Sequence, residues 1–405
     1  MKNTLYIFLL FVLVACEDRC EISHQYSKQY FLNKNYPIWL DISDMPADIQ
    51  VKPPVTPNAA FKIVSNDRYF FVGEKMNGIH VFEKTGKNHA HPLCFIECKY
   101  IKAFDVLDNI LYCNNFVDLL CIDVEDPLQA KIRLREKKYF NGYSEKSLNL
   151  PYQNETTYLI GYKRVELTGI ETDKNPAPDF SEYDKLYGNI IVKEIPESLQ
   201  TDKPFAGFAR IEHEMYTFGD NSLAVCSCSS DGIIITQSSF FSPYYNYFQL
   251  GSLLYRDGMI YIVGLNGFEY MNYHWYPLRN AYHSYGRKPL DIVALKNQAN
   301  SFVILYDTES CIQGITTTGN YTYNSMPSLE AVSLMNIRET IFALGKQLTL
   351  YRYNLYSNYP VEIVKQYPDI SGSSMMSDGN TLIVAGKQGL LFYDISDLEN
   401  IILLP

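Results

Sequence analysis

Apolar and polar residues follow one recurring cadence along this chain: an apolar run, a polar turn, a second apolar run, then an acid. Residues 109–123 read NILYCNNFVDLLCID and residues 380–394 read NTLIVAGKQGLLFYD; the two align without a gap. Each run is short, apolar and bounded by Asn, Asp or Gly, which predicts a hairpin of two buried strands rather than a helix. Further copies fit once the template is set. Residues 69–83 (YFFVGEKMNGIHVFE) carry one more residue in the turn, and 341–352 (IFALGKQLTLYR) one fewer. Segments 215–227 and 259–272 follow the same pattern, with a weaker copy at 301–307.

The copies start near residues 69, 110, 215, 259, 301, 340 and 381, and every step but one is close to 40 residues. That is the length of a four-stranded propeller blade. The long step from 110 to 215 contains an insertion, at about 140–204. Within a unit, 110–113 is expected as the inner strand, 119–124 as its partner and 130–135 as the outer strand. Between the last two lies Asp123-Val-Glu-Asp126-Pro127, whose carboxylates can accept backbone N–H groups while Pro127 stops the ladder. Asp394-Ile-Ser-Asp397 and 401–404 repeat this order. No segment shows the 3.6-residue period of a long amphipathic helix.

The expected fold class is therefore all-β: a β-propeller of seven four-stranded antiparallel blades over residues 51–405. Eight blades is the alternative, because 157–166 (TYLIGYKRVE) reads as the strand pair of a drifted blade. Against it, 173–184 (DKNPAPDFSEYD) reads as a polar surface loop. Closure of the ring is expected to rest on face packing of the first and last blades, or on residues 36–42 (YPIWLDI) adding to a blade edge that would otherwise stay unpaired.

The D-[IV]-x-D-P turn after a Leu-Leu-x-x-Asp strand resembles the LVIVD repeat of bacterial β-propeller proteins. More closely, the chain is similar to surface lipoproteins of Bacteroides-like bacteria that carry these repeats. The likeness runs from about residue 51 to 405 and includes VKPP at 51–54 and the closing DGNTLIVAGKQGLLFYDISD. Glu83 and Arg352 depart from it by replacing the strand-ending aspartate, and Leu398 stands where proline is expected. The resemblance implies a propeller and an envelope location; it brings no agreed activity and no catalytic residues.

The N-terminus points to the same location. Lys2 precedes an apolar run at 5–14 that ends in Leu13-Val-Ala-Cys16. This reads as a signal peptide over 1–15 rather than a membrane span. Leu-Val-Ala-Cys matches the bacterial lipobox, in which Cys16 is diacylated and becomes the mature N-terminus, with 16–50 as a tether. Glu17 and Asp18 resemble the acidic export signal of surface lipoproteins in that bacterial group. The expected partner is therefore the outer membrane, reached through the lipid anchor, with the protein exposed at the cell surface.

A formal charge of −10 argues against nucleic acid as a partner, since that needs a basic footprint. There is no Gly-rich phosphate loop, no G-x-S-x-G elbow and no H-E-x-x-H, and no cofactor is expected. His89-Ala-His91 is an incomplete metal site, read instead as a solvated turn before Pro92. Of the nine cysteines, Cys94 and Cys98 are expected on an outer strand, too far apart to join. Cys113 and Cys121 are read as small buried apolar groups, with a cross-strand bridge between them as the alternative. Cys226-Ser-Cys228 lacks a second ligand pair nearby.

Tyrosine is abundant, 34 residues against 2 tryptophans. Two segments concentrate the aromatics: 240–248 (FFSPYYNYF), with Tyr244 and Tyr245, and 270–285 (YMNYHWYPLRNAYHSY), with Tyr273, Trp275 and Tyr276. Such rings suit stacking on sugars or anchoring a protein partner, and packing between blades is the other reading. The expected function is a noncovalent binding module for a glycan or protein. The alternative is a propeller hydrolase, such as a glycosidase, with carboxylates gathered at the axis.

Overall fold

The structure, a computed structural model, describes residues 27–41, 43, 45–58, 60–140, 157–172, 176–187, 207–219, 222–229, 232–240, 250–256, 259–264, 267–272, 280–283, 289–295, 301–306, 311–316, 324–327, 330–353 and 361–405. They divide into two compact units.

The larger unit, residues 40–158 and 197–405, is built of successive antiparallel sheets in which each strand pairs with the next in sequence. The second sheet shows the plan: Phe104–Leu107, Ile110–Asn115, Asp118–Asp123 and Lys131–Glu136, side by side in that order. The first sheet starts with Ala60–Ser65 and Tyr69–Glu74, the third with Gly207–Ile211, the fourth with Leu250–Arg256. The fifth, sixth and seventh begin at Pro289–Ala294, Ser333–Ile337 and Ser374–Asp378. This is the strand order of a β-propeller.

One strand of the plan departs from the sequence reading. The repeated motif supplies the second and third strands of each sheet, so Ile110–Asn115 and Thr381–Gly386 are not the innermost. The preceding strands hold that place, and it is those first strands that lie against one another from sheet to sheet. Four of the described turns between first and second strands, Asp108-Asn109, Glu212-His213, Arg338-Glu339 and Gly379-Asn380, are two-residue loops. Asp108, Glu212, Arg338 and Gly379 have φ between 51° and 59°, the left-handed backbone that fits a tight hairpin to strand twist.

Sheets pack through alternate side chains. Phe71, Val81 and Ile96 of the first sheet meet Phe104, Leu111 and Ile122 of the second in one buried cluster. Gly73 makes room there: a Cβ would lie 2.3 Å from the Phe104 ring, which stands edge-on to Phe61 at 5.6 Å. Similar clusters join the second sheet to the third, the fourth to the fifth, the fifth to the sixth and the sixth to the seventh. Between third and fourth, Gly207–Ile211 lies against Leu250–Arg256. A further cluster sets Ile63, Phe70, Val72 and Phe82 of the first sheet against Ile383, Ala385 and Phe392 of the seventh.

The acidic turns are built alike in the second and seventh sheets. Asp123 Oδ1 accepts from Glu125 N at 3.1 Å, and Asp126 Oδ1 from Leu128 N at 3.1 Å. Asp394 and Asp397 do the same for Ser396 N and Glu399 N, at 2.8 and 2.9 Å.

Three other expectations are corrected. Residues 36–42 do not extend a propeller edge; Ser27–Asp41 pairs with Thr157–Thr172 in a separate two-stranded sheet. The strand that does extend the first sheet is Gln50–Lys52, paired with His89–Glu97. Segment 157–166 is not a strand pair of an eighth blade but part of that one long strand. His89 and His91 lie exposed on the strand His89–Glu97 rather than in a turn.

The smaller unit comprises residues 1–39 and 159–196. Its described part is the two long strands and a short helix, Ser181–Tyr187. Tyr36 is fully buried, its hydroxyl donating to Asp184 at 2.5 Å and its ring 6.4 Å from those of Phe180 and Tyr183. Lys34 also pairs with Asp184.

Candidate functional site

The first strands carry the polar groups that the hairpin motif lacks. Lys62, on Ala60–Ser65, extends its ammonium to Asp105 Oδ2 at 2.7 Å, Phe104 O at 2.9 Å and Phe208 O at 3.1 Å. One side chain thus ties the first strands of three consecutive sheets. Asp105 is buried, and both its oxygens are engaged. Oδ1 accepts from Val106 N at 2.8 Å, and Oδ2 from Arg210 N of the third sheet at 3.2 Å.

Asp291 repeats the device three sheets on. It accepts from its own neighbour, Ile292 N, at 2.9 Å, and from Leu334 N of the next sheet at 2.7 Å. A carboxylate held by main-chain donors of its own and the next sheet is a staple between sheets.

Beside the Lys62 cluster, at the turns from first to second strands, the chemistry is open to solvent. Arg210 is exposed and reaches back to Ser65 O at 3.4 Å. Lys84 donates to Asn66 O at 2.6 Å and sits 4.5 Å over the Phe70 ring. Burial pushes the Lys84 ammonium below its ordinary pKa; Asp378 and Asp67 oppose this, and Arg210 adds to it. Asp67 and Asp378 are exposed. The result is a patch of mixed charge drawn from the first, third and seventh sheets, with Arg210, Asp67 and Asp378 each in electrostatic reach of Lys84. Such a surface can hydrogen-bond a polyhydroxylated or peptidic ligand from several directions.

A second polar cluster is internal. Arg135 bonds Asp118 Oδ2 at 2.9 Å, Asn115 Oδ1 at 2.9 Å and Ala47 O at 2.7 Å. Asn114 accepts from Lys102 N and Ala103 N at 2.8 and 2.9 Å and donates to Phe116 O at 3.0 Å. Every arm serves a chain segment, so this network fixes loops.

The sequence-derived candidates Tyr244, Tyr245, Tyr273, Trp275 and Tyr276, and the lipidation residue Cys16, lie outside the described residues. Lys62, Asp105 and Arg210 were missed because they stand on the first strands. A signal does exist for part of the set: Phe104-Asp-Val-Leu107 and Leu290-Asp-Ile-Val293 share an aspartate followed by a β-branched residue.

No protein-family model matches the chain, and no curated protein matches it. Among solved structures it is similar to a chain of the mitotic checkpoint complex, at 12% identity and TM-score 0.49, covering 87% of this chain and 92% of that one. A virginiamycin B lyase from Staphylococcus aureus matches at 12% identity and TM-score 0.44, over 90% and 98% of the two chains. The Pan2 WD40 domain of Neurospora crassa matches at 10% identity and TM-score 0.45, over 85% and 94%. Likenesses this distant do not bear on ligand or activity. The propeller fold rests on the sheets themselves.

Proposed function

We propose that this protein is a lipid-anchored, seven-bladed β-propeller of the LVIVD-repeat lipoprotein type, held at the outer-membrane surface through Cys16 and acting by noncovalent binding of a glycan or protein. The seven sheets are its blades, four-stranded but for the first, which Gln50–Lys52 extends to five, and packing of the seventh sheet on the first closes the ring. The lipobox Leu13-Val-Ala-Cys16 supports the anchor.

One observation carries binding over hydrolysis. The inner-strand carboxylates Asp105 and Asp291 are committed to main-chain donors of the next sheet, while the exposed groups beside Asp105 are of mixed sign. A glycosidase works through two carboxyl groups facing one bond; here the exposed acids Asp67 and Asp378 both act on Lys84, and with Arg210 they supply the mixed donors and acceptors of a recognition surface.

The test is a screen of the soluble fragment 17–405 against immobilised glycans and envelope or host proteins, with a parallel assay on chromogenic glycosides. Saturable binding that weakens at least tenfold in Arg210→Ala or Asp378→Ala is expected. Turnover of a glycoside that is abolished by Asp105→Asn would overturn the reading.

A further inference from the structure

Strand alternation sends the cysteines of the second sheet to opposite interfaces. In the pairing of Ile110–Asn115 with Asp118–Asp123, Cys113 faces Leu120 while its neighbour Tyr112 faces Cys121. Adjacent pairs project to opposite faces of a sheet, so Cys113 and Cys121 cannot bridge each other. Cys113 is instead buried in the cluster shared with the first sheet, and Cys121 in the cluster shared with the third.

A thiol waits at each interface. Cys98, which follows the last strand of the first sheet, has its Sγ 4.0 Å from that of Cys113. Across the other interface, Cys228 packs against the buried cluster that holds Cys121, and the two thiols interact. All four are free in this structure. We propose that Cys98–Cys113 and Cys121–Cys228 are disulfide-forming pairs that cross-link the second sheet to the first and to the third.

The first pair is already in contact. Cys98 and Cys113 share a thiol hydrogen bond, and Asn115 Nδ2 approaches the Cys98 sulfur at 3.9 Å. The Cys113 hydrogen bond holds the Cys98 thiol below its usual pKa against the cost of burial, with Asn115 and the Arg135 charge adding to the effect, whereas Cys113 is pushed up. Either thiolate can open the exchange. The oxidant is a low-molecular-weight or protein disulfide, met while the interface is still open during folding. The thiolate of Cys98 or Cys113, its proton given up to solvent, attacks one of the oxidant's sulfurs and expels a thiolate, leaving a mixed disulfide. The other cysteine, giving its proton to that thiolate, then attacks the protein sulfur of the mixed disulfide and expels the second, which takes up the proton from solvent. Two electrons and two protons pass to the oxidant, and one Cys98–Cys113 bond forms. Cys121 and Cys228 react by the same exchange. Closing from 4.0 Å to the roughly 2.05 Å of a disulfide then locks the sheets together.

The inference rests on sheet register and not on the proposed envelope location, so its test is done in vitro. The full chain is reduced, unfolded and refolded in a buffer of oxidised and reduced glutathione, then alkylated, digested and mapped by mass spectrometry. Expected are linked Cys98–Cys113 and Cys121–Cys228 peptides, with Cys94 and Cys226 alkylated. The oxidised protein should melt several degrees above the same protein refolded with a phosphine reductant. Cys113→Ala should lose the first link and keep the second; if that variant does not fold, the wild-type map decides alone. Alkylation of all four cysteines after refolding, or a map dominated by other pairings such as Cys121–Cys226, would overturn the proposal.

Discussion

Asp105 Oδ2 accepts the main-chain N–H of Arg210 at 3.2 Å, across a sheet boundary and 105 residues further along the chain. Its other ties, to Lys62 and to Val106 N, make it the joint of the first three sheets. Removing the carboxylate leaves the Lys62 ammonium and the Arg210 N–H without their partner. Asp105→Ala is expected to cost about 3 kcal/mol, read as a lower urea midpoint. Adding Lys62→Met to it should restore part of the loss, because the unpaired cation goes too. Additive losses in the double variant would show that the pair does not act as a unit.

Acid should loosen the first sheet. Glu74 accepts from Asn58 N at 3.1 Å, Asn77 Nδ2 at 2.7 Å and His80 Nε2 at 2.9 Å. The other ring nitrogen of the buried His80 lies 3.0 Å from Val55 O, so residues 55–58 are held through this carboxylate. Burial works to raise the Glu74 pKa, but the bonds from Asn58, His80 and Asn77 outweigh it and hold it low. A carboxyl with a lowered folded pKa stabilises fully above its unfolded value, and the contribution disappears as pH falls through the folded one. Stability should therefore drop more steeply below about pH 4.3 in the wild type than in Glu74→Gln. Parallel acid-unfolding curves for the two proteins would refute the assignment.

The anchor makes a separate prediction. Cys16→Ala should abolish fatty-acid labelling and release the protein from the membrane fraction, since the lipobox offers a single acylation thiol. Retention of both label and membrane association would end the lipoprotein reading.

The aromatic segment makes another. If Tyr273, Trp275 and Tyr276 form the ligand platform, replacing all three with Ala should weaken binding by about 1–3 kcal/mol per buried ring, with little change in melting temperature. Unchanged affinity with a lowered melting temperature would assign these rings to packing.

How much of this was legible in the sequence depends on what each strand buries. Tyr69–Glu74, Ile110–Asn115 and Thr381–Gly386 are covered on both faces, so they read as unbroken apolar runs and the template finds them. Phe104–Leu107 and Ser333–Ile337 are short and carry Asp105, Ser333 and Asn336 among apolar residues. That mixture hides a strand whose polar side chains bond neighbouring sheets. The long strand Thr157–Thr172 shows its propensity plainly, but its partner Ser27–Asp41 lies more than a hundred residues earlier, and no local pattern announces a pairing at that distance. The fate of Cys113 and Cys121 was readable in principle, since strand parity alone separates them once the hairpin register is fixed.

The packing of the seventh sheet on the first sets the pace at which this chain can fold. Phe70 meets Phe392 at 5.8 Å between ring centres, and Thr381 bonds Asn88 across 293 residues of sequence. Each sheet can form its own hairpins within microseconds, yet Ile63, Phe70, Val72 and Phe82 stay uncovered until Ile383 and Phe392 have left the ribosome. Contacts of such span are slow to close. During that interval the growing chain presents an apolar sheet face, and it is the newborn protein, more than the finished one, that needs a chaperone's shelter.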